Sequence, residues 1–137
     1  MVCKTVLALV ILSIVFSGAL PGPTSQASEE KAQLEHSVTL VRNVNSAEML
    51  LYRKTRSFVN LEGLMNQPTL ADDSISLVSR DSFSADVKNF VLTVLASSDG
   101  KHFHVSMVPT KGTCETAVFS DEAGLVYLGR ALDCPTE

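Results

Sequence analysis

The stretch NFVLTVLASSDGKHFHVSMV, residues 89–108, decides the fold. Its first part is apolar on both faces and rich in β-branched side chains, which is typical of a central strand. The Asp-Gly pair at 99–100 is a strong signal for a hairpin turn. The remainder alternates between apolar and polar residues, so Phe103, Val105 and Met107 are expected on one face. This stretch therefore predicts an antiparallel hairpin in the middle of a sheet.

Two other regions extend that sheet. ETAVFSD (115–121) and LVYLGRA (125–131) predict a closing hairpin, in which Gly124 supplies the positive backbone angle of the turn. ISLVSRD (75–81) predicts a short first strand. The side chains of the closing hairpin expected to be buried against the helix or the neighbouring strand are Phe119, Leu125 and Tyr127. The second half of the chain is thus expected to form an antiparallel sheet of about four strands.

A long helix is predicted before the sheet, over residues 28–56, which contain no Gly or Pro. Ser28 suits the N-cap, and acidic residues follow it at the positive end of the helix dipole. The apolar stripe with helical spacing consists of Leu40, Val44, Ala47 and Leu51. Residues 57–74 are predicted to form a loop with one short helical turn. The fold class is therefore α+β, a single domain at 28–137 with its helix on one face of the sheet (75–137).

The N-terminus has the layout of a secretory signal peptide over residues 1–27. Lys4 provides the positive start, an apolar run follows, and small residues favour cleavage between Ala27 and Ser28. The alternative is a retained membrane anchor formed by residues 5–20, although this run is shorter than the roughly 20 residues of a spanning helix. Either interpretation exports the domain to the periplasm or the extracellular space.

If the domain is exported, its cysteines are expected to have a structural role. Cys3 leaves with the signal peptide, so Cys114 and Cys134 remain as an even pair in an oxidising compartment. A disulfide between them is predicted. Their spacing lacks the C-x-x-C pattern typical of redox or zinc sites.

The net charge and the absence of catalytic motifs narrow the range of expected functions. The net charge of −4 argues against nucleic acid as a partner. There is no nucleophile elbow and no Gly-rich phosphate loop, so no enzymatic activity and no cofactor are expected. The basic residues at the predicted helix end, which fit a solvated terminus better than a lipid or nucleic-acid site, are Arg53, Lys54 and Arg56.

Two patterns could hold a metal ion. His102 and His104 are two apart on a strand, so both imidazoles could reach one zinc or copper ion, but nothing in the sequence places His36 nearby as a third ligand. Asp72 and Asp73 could be paired carboxylates, yet a turn is the simpler interpretation. No metal site is therefore predicted.

Three stretches resemble the globular heads of type IV pilin-like proteins and type II secretion pseudopilins. AEMLLYRKTRSFVNLEGL (47–64) looks like the end of the pilin helix, and residues 89–112 look like the sheet hairpin. AVFSDEAGLVYLG (117–129) is similar to the closing hairpin, and the pair of late cysteines resembles the C-terminal disulfide loop of many pilins. The likeness covers roughly residues 40–134.

The N-terminus departs from that family. Prepilins are cut after a Gly before their apolar run and carry a Glu near the new terminus. Here no Gly precedes Val6, and the first acidic residue is Glu29. The resemblance therefore implies a pilin-like head released from its stem.

Two classes of function follow. The first is a non-catalytic secreted or periplasmic structural or binding module that meets a protein partner. The second is a membrane-anchored pilin or pseudopilin-like subunit of a pilus or type II secretion system, which keeps residues 5–20. A small metal-binding protein or hydrolase is a third interpretation, with the two strand histidines as its best candidates.

Overall fold

The computed structural model describes residues 23–68, 70, 76–110 and 114–130. Two helices precede six strands. The elements are α1 (Pro23–Thr55), α2 (Leu61–Leu64), β1 (Val78–Ser79), β2 (Ser84–Val87), β3 (Phe90–Ala96), β4 (Phe103–Pro109), β5 (Ala117–Asp121) and β6 (Val126–Gly129). The predicted signal peptide lies outside the described residues except for its last positions, 23–27.

The strands form one antiparallel meander in the order β1-β2-β3-β4-β5-β6. The expectation of about four strands was therefore wrong, because the described residues form six. β1 has only two residues, and β2 reads Ser-Ala-Asp-Val, where two of the four side chains are polar. β1 falls within the predicted first strand and pairs with β2. β2 was not predicted; so short and half-polar a segment pairs because β3 offers it a free edge, which the sequence pattern does not show.

The helix packs on the sheet, as expected, and contacts β4, β5 and β6. Burial of apolar area at roughly 25 cal/mol per Å² makes this layer the main source of stability. Fully buried side chains meet here from both layers: Leu40, Val41 and Val44 from α1, and Leu92, Val94, Val105, Met107 and Val118 from the strands.

The helix is longer at its start than predicted, since it begins at Pro23 rather than at residue 28. Proline is tolerated in the first turn because the missing N–H has no helical partner there. At the other end Arg56 has a φ of 61°, and its N–H donates to the Tyr52 carbonyl at 2.8 Å. This left-handed residue ends the helix one residue before the predicted boundary.

The central hairpin confirms its prediction. β3 and β4 pair from Phe90 opposite Pro109 to Ala96 opposite Phe103, and Gly100 in the turn has a φ of 66°. The alternation holds along β4, where Phe103 is buried and His104 is exposed.

The closing hairpin differs from its prediction in which side chains are buried. Leu125 and Tyr127 are 59% and 50% exposed, and Phe119 is only half-buried. Phe119 lies opposite Tyr127 on one side and Ser106 on the other, so these three side chains share the face away from α1. The inward positions of β5 belong to the smaller Val118 and Ser120, because α1 passes close to this strand.

Within the described residues, no helix has both the length and the apolar character to cross a bilayer. The proposed anchor, residues 5–20, lies outside that part of the chain.

Candidate interaction surface on the open face of the sheet

The sheet has one face under α1 and an opposite face, here called the open face, that carries the remaining side chains of β1 to β6. Residues directly opposite each other in antiparallel strands share a face. The strand register therefore places a central row across the open face: Ser84, Thr93, Ser106, Phe119 and Tyr127.

Apolar side chains lie on both sides of this row. Val78, Val91 and Val108 belong to one neighbouring row, which also contains Asp86. Leu95 lies in the row on the other side, opposite His104. Leu95 is 44% exposed and Val108 is 40% exposed, so apolar side chains on both sides of the central row face solvent.

Aromatic rings add to this area. The His104 and Phe119 rings are stacked, with their centroids 6.4 Å apart and their planes inclined by 29°. Gly129 leaves room beside Phe119, because a β-carbon there would lie 3.2 Å from its ring. The rings are therefore held against the sheet with part of their surface exposed.

Charged pairs lie towards the margins of the open face. Arg80 contacts Asp86 twice, at 2.8 Å through Nε and at 2.6 Å through a terminal nitrogen. Near the turns that follow β3 and β5, His102 Nδ1 lies 2.6 Å from Glu122 Oε1. The hydrogen bond to Glu122 raises the pKa of His102, and the same bond lowers the pKa of Glu122.

The predicted site residues are not brought together into a metal centre. His102 is engaged by Glu122, and His104 stacks on Phe119. His36 lies on α1, which packs on the opposite face of the sheet. No group of three or more candidate ligands occurs in the part of the chain that the structure describes. Asp72 and Asp73 lie outside the described residues.

The basic cluster at the helix end is exposed. Arg53 and Lys54 lie in the last turn of α1, and Arg56 follows it. Cations there complement the negative end of the helix dipole, which accounts for their position without a ligand.

The structure does not test the predicted disulfide or the predicted cleavage site. Cys114 lies just before β5 and is already bonded, but Cys134 is outside the described residues, so their pairing stays a prediction. Ala27 and Ser28 are exposed and lie within α1. Cleavage between them stays a prediction as well.

A cavity of about 500 Å³ lies between the first half of α1 and the β2–β3 turn. Its walls include His36, Lys88 and Phe90. Lys88 has a φ of 54°, which is unusual for a residue with a side chain and fits its place in a two-residue hairpin loop. The walls carry both an acid, Glu29, and bases, so they favour no single ligand charge.

The exposed apolar residues of the open face were not identified from the sequence. NFVLTVLAS is apolar on both faces, and that pattern led to the prediction of a central strand. A strand left open on one side has the same pattern when the open side binds a partner. Leu95 and Val91 are therefore compatible with an apolar open face, but the sequence pattern alone does not distinguish such a face from a buried one.

The described residues define the class of fold: an α+β arrangement with a helix on one face of a meander sheet and a partly apolar opposite face that no other described element covers. No family model matches the chain, and neither the curated proteins nor the solved structures provide a match.

Proposed function

We propose that this chain is an exported, non-catalytic structural or binding module with a pilin-like head, and that it binds a protein partner through the open face. The observation that carries the proposal is the exposed apolar area around Leu95, Val108 and Tyr127. A free domain gains nothing from leaving such side chains in water, whereas covering them stabilises a complex.

The arrangement of the open face favours a folded protein as the partner. Apolar and aromatic side chains lie around the small hydroxyl residues Thr93 and Ser106 at its middle. Charged pairs that each contain both signs, Arg80–Asp86 and His102–Glu122, lie towards its margins. Protein interfaces likewise combine apolar and aromatic contacts with a polar rim. A polyanion or an anionic membrane would require an excess of positive charge, which an open face with mixed pairs does not supply.

Site-specific photocrosslinking in the producing cells tests this proposal. A benzophenone amino acid replaces Tyr127, which is aromatic and half-exposed, and in a matched control it replaces Leu50, which is exposed on α1. We expect a discrete adduct from position 127, none from position 50, and loss of the adduct when Val108→Lys is added. Equal labelling at both positions, or an adduct that survives Val108→Lys, would argue against the open face. An adduct of twice the chain mass would identify a second copy as the partner.

One observation favours the anchored alternative. α1 begins at Pro23, so only two residues separate it from segment 5–20, and the helix runs through the predicted cleavage site. A retained stem could therefore lead almost directly into the domain. The intact mass of the protein recovered from cells separates the two functions: a chain that starts at Ser28 supports the released module, and one that keeps residues 5–20 supports the anchored subunit.

A further inference from the structure

Glu48 is an acidic side chain in the interior of the domain. It lies on α1, is 0% exposed, and its Oε2 accepts the N–H of Val59 at 3.2 Å. Its Oε1 is buried and has no hydrogen-bond partner in the described part of the chain. A buried carboxylate with one partner costs several kcal/mol, whereas the neutral acid costs much less.

The backbone that Glu48 holds is the segment 57–60, which joins α1 to α2. This segment is tied to the central hairpin as well: the Phe58 N–H donates to the Gly100 carbonyl at 2.8 Å, and Asn60 Oδ1 accepts the Ala96 N–H at 2.9 Å. The segment thus links the helix, through Glu48, to the turn between β3 and β4.

Aromatic packing lies next to these bonds. The Phe58 ring stacks on Tyr52 of α1 at 4.4 Å and meets Phe103 of β4 at 4.8 Å. Leu61 and Leu64, which follow in α2, are fully buried. Release of the segment would therefore expose an apolar surface formed by Phe58, Leu61 and Leu64.

We propose that Glu48 is a proton-operated latch for the segment 57–60. With its carboxyl group neutral, the side chain stays in the interior and the segment stays docked. When the carboxyl group ionises, the charged side chain moves into solvent. The segment then detaches locally, while the sheet remains folded.

The protonation behaviour of this group supports the latch. Burial raises the pKa of Glu48 to about 7, and the Val59 N–H opposes this rise without cancelling it. Neighbouring charges are not among the causes of the shift. The ionisable groups on the elements around the segment lie at the end of α1, on α2 and in the turn of the central hairpin: Tyr52, Arg53, Lys54 and Arg56, then Glu62, then Asp99, Lys101 and His102.

The direction of the effect follows from this shift. In the detached segment the carboxyl group returns to its ordinary pKa of 4.5, so the docked form binds more protons between that value and about 7. Docking is therefore strongest at acidic pH and weakens as the pH rises through 7. Between pH 5 and pH 8 the equilibrium constant for detachment should increase about 70-fold.

Hydrogen exchange followed by NMR tests the latch on the full chain. We expect the protection factors of the Phe58 and Val59 amides to fall about 70-fold more between pH 5 and pH 8 in the wild type than in Glu48→Gln. This substitution keeps the shape of the neutral acid. The matched control, Glu62→Gln, removes an exposed carboxylate from α2 and should keep the wild-type pH dependence.

Low urea concentrations separate local detachment from unfolding of the whole domain. At pH 8 we expect exchange of the Phe58 and Val59 amides to accelerate only slightly with low urea, and exchange at Val105 in the central sheet to accelerate steeply, because detachment of the segment exposes much less surface than unfolding of the domain. The latch is overturned if the wild type and Glu48→Gln show the same pH dependence. It is equally overturned if Phe58 and Val59 follow Val105 in urea, because the segment would then leave only with the sheet.

Discussion

Asn45 on α1 and Ser120 on β5 are joined by a hydrogen bond of 2.7 Å, donated by Nδ2 of Asn45 to Oγ of Ser120 across 75 residues of sequence. Both residues are buried. The Ser120 hydroxyl in turn donates to the Leu125 carbonyl at 2.7 Å, so the chain of bonds runs from the helix into the closing hairpin. This polar bridge fixes the position of α1 along β5, where apolar contacts alone allow sliding.

A double-mutant cycle should show that the two side chains are coupled. Asn45→Ala and Ser120→Ala should each lower the free energy of unfolding by about 1–2 kcal/mol, and the coupling energy should be about 1 kcal/mol. Urea denaturation measures all four proteins. Ser46→Ala is the matched control, since its exposed hydroxyl donates to the Arg42 carbonyl within α1 and takes no part in the bridge. Strictly additive effects would show that the bond contributes nothing specific.

Gly100 and Gly124 offer a comparison that separates backbone strain from crowding. Both have a positive φ, 66° and 73°, but a β-carbon at Gly100 would overlap the Ser57 hydroxyl, whereas one at Gly124 would meet nothing within 4 Å. Gly124→Ala should cost about 1 kcal/mol and Gly100→Ala about 2–4 kcal/mol. Thermal melting with denaturant titration measures both. Equal losses would mean that Ser57 moves aside freely and that the segment 57–60 is not firmly docked on the turn.

The elements with a strong local signal were the ones predicted from the sequence. The Asp-Gly turn and the alternation along β4 depend on residues that are neighbours in the chain, so their pattern alone predicts the central hairpin. The helix was equally clear, since its stripe of Leu40, Val44 and Ala47 has helical spacing.

The errors concern features that depend on distant partners. β2 pairs because β3 is beside it, and Phe119 faces outward because α1 covers the other side of β5. Glu48 lies in an ordinary helical sequence, and only the packing of the segment 57–60 over it makes it a buried acid. Local patterns contain none of this information, which is why the candidate surface and the buried acid were not predicted.

The pair of His102 and Glu122 should be visible in a titration. The hydrogen bond raises the pKa of His102, so its stabilising effect is present below the ordinary histidine value and is lost as the pH rises through the raised one. Glu122→Gln should shift the NMR titration of the His102 ring to lower pH. Glu35→Gln removes the same charge from an exposed position on α1 and should leave the titration unchanged. An unshifted His102 in Glu122→Gln would show that the contact does not persist in solution.

The predicted disulfide between Cys114 and Cys134 should stabilise the end of the chain. A crosslink across about 20 residues adds about 3 kcal/mol in the chain-entropy model. Cys134→Ser should therefore lower the melting temperature under oxidising conditions, and reducing agent should bring the wild type close to the variant. Wild-type melting curves that coincide in oxidised and reduced samples would show that no disulfide between these cysteines stabilises the domain.

Glu48 should also determine how the stability of the whole domain responds to pH. Its pKa is raised to about 7 in the folded chain and is ordinary in the unfolded chain, so its favourable contribution is complete below about pH 4.5 and is lost as the pH rises through 7. Relative to Glu48→Gln, the free energy of unfolding of the wild type should fall by about 2–3 kcal/mol between pH 5 and pH 8. Urea denaturation at both pH values measures this, with Glu62→Gln as the exposed control. A difference between wild type and Glu48→Gln that stays constant with pH would show that the carboxyl group is solvated in the folded state, because only a buried acid couples folding to proton binding in this range.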